Sequence, residues 1–237
     1  MRTSRRRPLP PVPGSDLPHT VTLRNLKDIS RTLDLAKTAR EAVVIGGGVL
    51  GLEAACALKQ SGLQVTVLEA LPHIMNRQLD GDTSTLLAGK VRAKGITLME
   101  GVQVSSIEPD CVALKDGTRL PAQLVVFSCG VRPNVSLAEA AGAAVDRGVT
   151  VDHLMRTTLP DVYACGDCAR FGSISYALWA EASDMGRTAG ANPAGEELSY
   201  TATAAALTFH GMDTALYALG DCGKESKGIL CHHQAGR

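Results

Sequence analysis

The sequence predicts an α/β fold on a parallel sheet, and three observations carry the prediction. An apolar run, Ala42 to Ile45, leads through the glycine turn GGGVLG into an apolar helical stretch ending near Gln60. A second apolar run, LQVTVLE, follows at once, so strand, helix and strand succeed one another as a βαβ unit requires. Further along, AQLVVFSCG reads as a returning buried strand, after a stretch that alternates apolar and polar residues around Asp116-Gly117, a hairpin signal.

Taken in order, the elements fill out this frame. The entry RPLPPVPGSDLPHTV carries too many prolines for regular helix or an inner strand, so it reads as a connector lying on something else. A polar helix-like segment covers Leu26 to Thr38, and the glycine-turn helix covers Leu50 to Gln60. Another helix, Thr83 to Lys94, leads to the short strand GITLMEG. After GVRPN come a short helix, a strand near Val149 to Val151, and TTLPDVYACGD, read as a short buried strand ending in Gly-Asp. A helix from Ile174 to Ala191 follows, and the stretch from Gly195 onward is too short to build its own core.

Composition narrows the function classes. The 237 residues balance 24 Lys and Arg against 24 Asp and Glu, so no overall field favours nucleic acid or an anionic membrane. No apolar stretch has the length of a bilayer span, and MRTSRRR runs into prolines where a secretory signal would turn apolar. A cytoplasmic protein is the expectation. The alternative of a basic organellar targeting segment stays open, because Arg2 to Arg7 contains no acid. Seven scattered cysteines read as reduced thiols. CGDC, Cys165 to Cys168, has the spacing of a redox or zinc motif, but no second ligand pair sits nearby, and the distant tail CHH, Cys231 to His233, does not complete zinc-finger spacing, so no metal is expected.

The chemistry concentrates in the glycine turn. Gly46, Gly48 and Gly51 satisfy G-x-G-x-x-G, with Gly47, Val49 and Leu50 between them, directly after a strand and at the mouth of a helix. Such a loop needs glycine for the tight turn, for close backbone approach to a pyrophosphate and for helix against strand; the helix amides then face the phosphate charge. Glu69 stands at the end of the second strand, where an acid accepts hydrogen bonds from ribose hydroxyls and repels a 2′-phosphate, favouring NADH over NADPH. Glu53 is read on the apolar face of the helix, either near the nicotinamide, orienting its carboxamide, or as a first-turn glutamate favoured by the helix dipole.

These residues resemble the FAD-dependent pyridine nucleotide-disulfide oxidoreductase superfamily. Its NAD-binding GGGxxGxE is matched by Gly46, Gly47, Gly48, Gly51 and Glu53, and its acidic strand end by Glu69. SCGVRPN, with Gly130, resembles the strand exit beside the flavin. TTLPDVYACGD resembles the family's second flavin motif, which implies that Asp167, after Gly166, binds the flavin's ribityl chain and that this motif, not a redox pair, accounts for CGDC. The resemblance is greatest to the flavoprotein portion of NADH-dependent nitrite reductase and to NADH:rubredoxin reductases, through MNRQLD, GVRPNVSLAEAAG and ALWAEASDMGRTAGAN. It implies a Rossmann-like NAD-binding domain, three-layered with a β-meander, inserted in a partial FAD-binding domain. It also implies NAD and FAD as cofactors, and electrons passing from NADH through FAD to a redox partner protein or domain. The helix with Trp179, Glu181 and Arg187 would lie by the isoalloxazine.

The implied organisation is residues 1–38 as the end of a first FAD segment and connector, 39–152 as the NAD-binding domain, 153–195 as the second FAD segment, and 196–237 as the start of a C-terminal interface domain that forms a homodimer in full-length relatives. Relatives carry another GxGxxG upstream, for the FAD pyrophosphate, together with any redox-active cysteine pair; the expectation is therefore an N-terminally truncated chain, a fragment that binds NADH and holds FAD poorly, with no catalytic thiol. The alternative is a degenerate flavoprotein module that binds NADH without turning it over.

Overall fold

In the computed structural model the described residues are 11–172, 177–204 and 206–220. They divide into two compact units, one from residues 11–130 with 206–220 and one from 131–204. The tail CHH, Cys222 and residues 174–176 of the expected helix lie outside the described residues.

The larger unit runs β1 (Thr20–Thr22), α1 (Leu26–Ala36), β2 (Glu41–Ile45), α2 (Val49–Gln60), β3 (Gln64–Glu69), α3 (Gly81–Ala93), β4 (Thr97–Glu100), β5 (Val104–Ile107), β6 (Cys111–Leu114), β7 (Arg119–Pro121) and β8 (Leu124–Phe127). Five strands form a parallel sheet in the order β1-β8-β2-β3-β4, and β5-β6-β7 form an antiparallel meander. The pleat sends alternate residues of β2 to opposite faces. Ala42 and Val44 join Leu52, Ala55, Leu87 and Val91 of α2 and α3, while Val43 joins Val112 and Leu114 of the meander. Helices, sheet and meander therefore make the three expected layers, with an apolar core on each side of the sheet.

Two features depart from the sequence reading. The Pro-rich entry ends in β1, which among the described residues pairs only with β8; an edge position tolerates the proline at Pro18 just before it. The segment after Gly195 does not stand alone either. Strands β11 (Ala206–Gly211) and β12 (Thr214–Leu219) form a hairpin, and Phe209 and Met212 are buried in the α2 and α3 core. Lys94 at the end of α3 pairs with Asp213 at the hairpin tip. A two-stranded hairpin is marginal in water, and this burial supplies what it lacks.

The smaller unit contains α4 (Ser136–Ala140), β9 (Val149–Val151), β10 (Ala169–Phe171) and α5 (Trp179–Ala191), with β9 and β10 paired in parallel. Its core is Val151, Met155, Ala169, Met185 and Tyr200. Asn192, just past α5, donates to the carbonyls of Leu154, Thr188 and Leu198 and accepts from the Leu198 amide, tying helix and following chain together. The strand expected in TTLPDVYACGD is reduced to one bridge, Arg156 with Tyr163. A strand is stabilised by its ladder, and among the described residues no ladder runs beside this one. Helix α5 starts at Trp179, so Ala177, at φ +89°, and Leu178 stand outside the helix that the sequence reading places them in.

Candidate nucleotide site

The turn between β2 and α2 is dictated by its own backbone. Gly46 has φ +116°, and a Cβ there would lie 2.4 Å from the Ser128 carbonyl oxygen; one on Gly51 would lie 1.9 Å from the Gly46 carbonyl oxygen. Both approaches are too short for any side chain. At Gly48, by contrast, a Cβ would meet no protein atom within 4 Å. That glycine leaves space for a ligand, where the other two make room for the chain itself. Gly48 caps α2 without a side-chain bond, and no acid stands in the first turn. The amides of Val49, Leu50 and Gly51 therefore lack intrahelical acceptors and keep the positive end of the helix dipole uncompensated. This is the arrangement that binds a pyrophosphate.

Glu69 is held rather than loose. The Gly47 amide donates to its Oε2 at 2.7 Å, and the Leu71 amide donates to its Oε1 at 2.8 Å. Each oxygen retains a lone pair for a ribose hydroxyl.

Residues beyond the sequence reading complete the cradle. Ile74 packs over Gly47, where a Cβ would come within 2.7 Å of the Ile74 Cγ2, and the Met75 amide donates to the Gly47 carbonyl at 2.9 Å. Glu100 accepts from the Ile74 amide and pairs with Arg92, while Ser84 donates to the Ile74 carbonyl. The signal was present in ALPHIM, whose two last residues are wholly buried, but nothing in the sequence says what they cover.

Glu53 does not lie on the apolar face. It is exposed, and it is the fifth residue of α2, so it is neither a buried carboxylate nor a first-turn acid. The residues of α2 that pack inward are Gly51, Leu52, Ala54, Ala55 and Leu58, and Glu53 falls outside that stripe. Gly130 follows β8 at φ +84°, a conformation that favours glycine, and leaves open space where a Cβ would stand.

In the smaller unit, Gly166 and Asp167 form a 3-10 turn, Gly166–Cys168. Gly166 has φ +68°, and a Cβ on it would touch Ala182 of α5 at an ordinary 3.4 Å. The turn is thus packed on the first turn of α5, whose cap Leu178 is extended and makes no side-chain bond. Glu181, in that turn, is buried with Oε2 lacking a hydrogen-bond partner; Trp179 is 87 % exposed, and Arg187 is exposed. Asp167 and the uncapped α5 terminus fit part of a flavin. One turn with one carboxylate is a smaller grip than the glycine loop of the larger unit.

Residues 3–186 match the family described as pyridine nucleotide-disulphide oxidoreductase. The chain belongs to that family. Its members are FAD-dependent and bind NAD(P)H. The assimilatory nitrate reductase electron transfer subunit of Bacillus subtilis is 36% identical over 210 residues, covering 86% of this chain and 27% of that protein. The nitrite reductase [NAD(P)H] large subunit of Klebsiella oxytoca is 37% identical over 221 residues, covering 88% and 23%. Among solved structures, a NAD-dependent persulfide reductase from A. fulgidus superposes with a TM-score of 0.88 at 29% identity, covering 92% of this chain and 42% of that one. A complex of putidaredoxin reductase with putidaredoxin gives 0.85 at 30% identity, covering 92% and 56%. The chain thus spans about a quarter of the two curated relatives and about half of the two solved ones. Among the described residues, no helix is long and apolar enough to cross a membrane.

Proposed function

We propose that this chain carries the NADH-binding part and one flavin-binding segment of a cytoplasmic flavoprotein reductase, which passes electrons to a redox partner such as a nitrite reductase module or a rubredoxin. The observation that carries the reading is the glycine cradle: an uncapped helix end, open space at Gly48, and a carboxylate fixed by two backbone amides. The amides of Val49, Leu50 and Gly51 receive the pyrophosphate of NADH, and Glu69 takes the adenosine ribose hydroxyls. Gly47 and the segment through Met75 keep that carboxylate in place, so NADH is preferred over NADPH. Asp167 and the α5 N-terminus hold part of FAD, and that group, when bound, supplies the acceptor for the hydride of NADH. Names of relatives support the direction of electron flow: two are nitrite reductases [NAD(P)H], and others are a ferredoxin reductase subunit and a putidaredoxin reductase.

A module that binds NADH without turnover is the second reading, favoured by one observation: the turn that carries Asp167 offers one carboxylate and rests on α5 alone. Anaerobic NADH oxidation with ferricyanide as acceptor, in saturating FAD, separates the two. The reductase reading expects FAD-dependent turnover that falls in Asp167→Ala while NADH affinity stays unchanged. NADH binding with no turnover at any FAD concentration supports the second reading.

A further inference from the structure

The family resemblance uses Gly166 and Asp167 of CGDC and leaves the two flanking thiols without a role. We propose that Cys165 and Cys168 form a reversible intrachain disulfide that closes a ring around Gly166 and Asp167. Cys165 caps the 3-10 turn Gly166–Cys168, and Cys168 ends it. Such a turn brings the first and fourth Cα atoms within about 7 Å, which overlaps the range that a disulfide spans. The side chain of Cys168 already folds back along the turn, its Sγ lying 3.4 Å from the Cys165 carbonyl oxygen. The positive φ of Gly166, +68°, permits the tightening that closure requires, and no side chain on that residue resists it. Both cysteines are thiols here.

The two sulfurs differ in access, which orders the chemistry. Cys165 is half-buried and Cys168 is 7% exposed, so an oxidant meets Cys165 first. With a small disulfide of the glutathione class as oxidant, the Cys165 thiolate attacks one of its sulfurs, forming a mixed disulfide and releasing one small thiol. The Cys168 thiolate then attacks the Cys165 sulfur, the protein disulfide forms, and a second small thiol leaves. Two protein thiols lose two electrons and two protons, and the small disulfide gains them. Burial, and next the neighbouring Cys168 sulfur, push the Cys165 thiol above the ordinary cysteine range, so this exchange is slow at neutral pH and faster under alkaline conditions. The product fixes the backbone on either side of Asp167.

The test equilibrates the folded chain in oxidised and reduced glutathione mixtures, quenches with acid, alkylates and maps the peptides by mass. The expected result is one peptide carrying both cysteines that lacks two hydrogens and resists alkylation under oxidising mixtures, and that takes two alkyl groups under reducing ones. Cys165→Ser and Cys168→Ser should each lose the ring, leaving the remaining cysteine alkylatable or bound to one glutathione, with the circular dichroism of the parent retained. Double alkylation of that peptide at every mixture, or pairing of either cysteine with a different cysteine, would overturn the proposal.

Discussion

Two glycine turns invite comparison, the one between β2 and α2 and the one that carries Asp167. Both pair glycine with a carboxylate near the start of a helix, yet the chain treats them differently. At the first, Gly46 and Gly51 are compelled by carbonyl oxygens within 2.4 Å of where a Cβ would stand, and Glu69 is fixed by two amides. At the second, Gly166 is required for its positive φ alone, and its nearest neighbour lies at an ordinary contact distance. A turn enclosed by its own unit can hold a ligand's phosphates without help. One that rests on a single helix offers only part of a grip.

The largest effect expected is from Gly51→Ala, which drives a Cβ into the Gly46 carbonyl. Urea unfolding should show a loss of about 3 kcal/mol or more. The same substitution at Gly48 sharpens the contrast, because its Cβ meets no protein atom: the unfolding midpoint should stay in place while NADH binding, followed by fluorescence, weakens roughly tenfold or more. If Gly48→Ala unfolds the chain, the distinction between a structural and a ligand-facing glycine fails. Glu69→Gln keeps an acceptor for the Gly47 amide but removes the charge. It should weaken NADH by roughly tenfold and narrow the preference over NADPH, read as the ratio of the two dissociation constants.

The smallest effect concerns the meander of the larger unit. Arg119 donates to both oxygens of Glu108, one at 2.8 Å, and this hydrogen bonding holds the Glu108 carboxyl below the usual carboxylate range. A carboxyl lowered in the folded state contributes stability above its unfolded pKa and loses it as pH falls through the folded one. Arg119→Ala should flatten that acid limb of the stability profile, measured by urea unfolding at neutral and acid pH, and leave NADH affinity alone.

The legibility of the sequence followed the same division. Gly46, Gly48, Gly51 and Glu69 could be read because strand, turn, helix and strand follow one another within about thirty residues, and each residue type has a steric or electrostatic reason to be there. Glu53 was misplaced because its neighbours are apolar, and only the angular position of the fifth residue of α2 shows that it faces outward. The strand before Gly166 was read from its apolar residues, whereas a strand exists through its partners, and among the described residues only the bridge from Tyr163 to Arg156 is present. The docking of Phe209 and Met212 against α2 and α3 could not be read at all, since it joins residues more than a hundred positions apart and leaves no periodic signal in either segment.

The most direct test of the contrast between the two turns is to incubate the purified chain with FAD, remove free flavin, record the visible spectrum, and then titrate NADH anaerobically by fluorescence. Saturable NADH binding without a retained flavin band is the result expected of one complete cradle and one partial grip. A flavin band that survives desalting and bleaches with NADH, or a chain that binds no NADH, would contradict it.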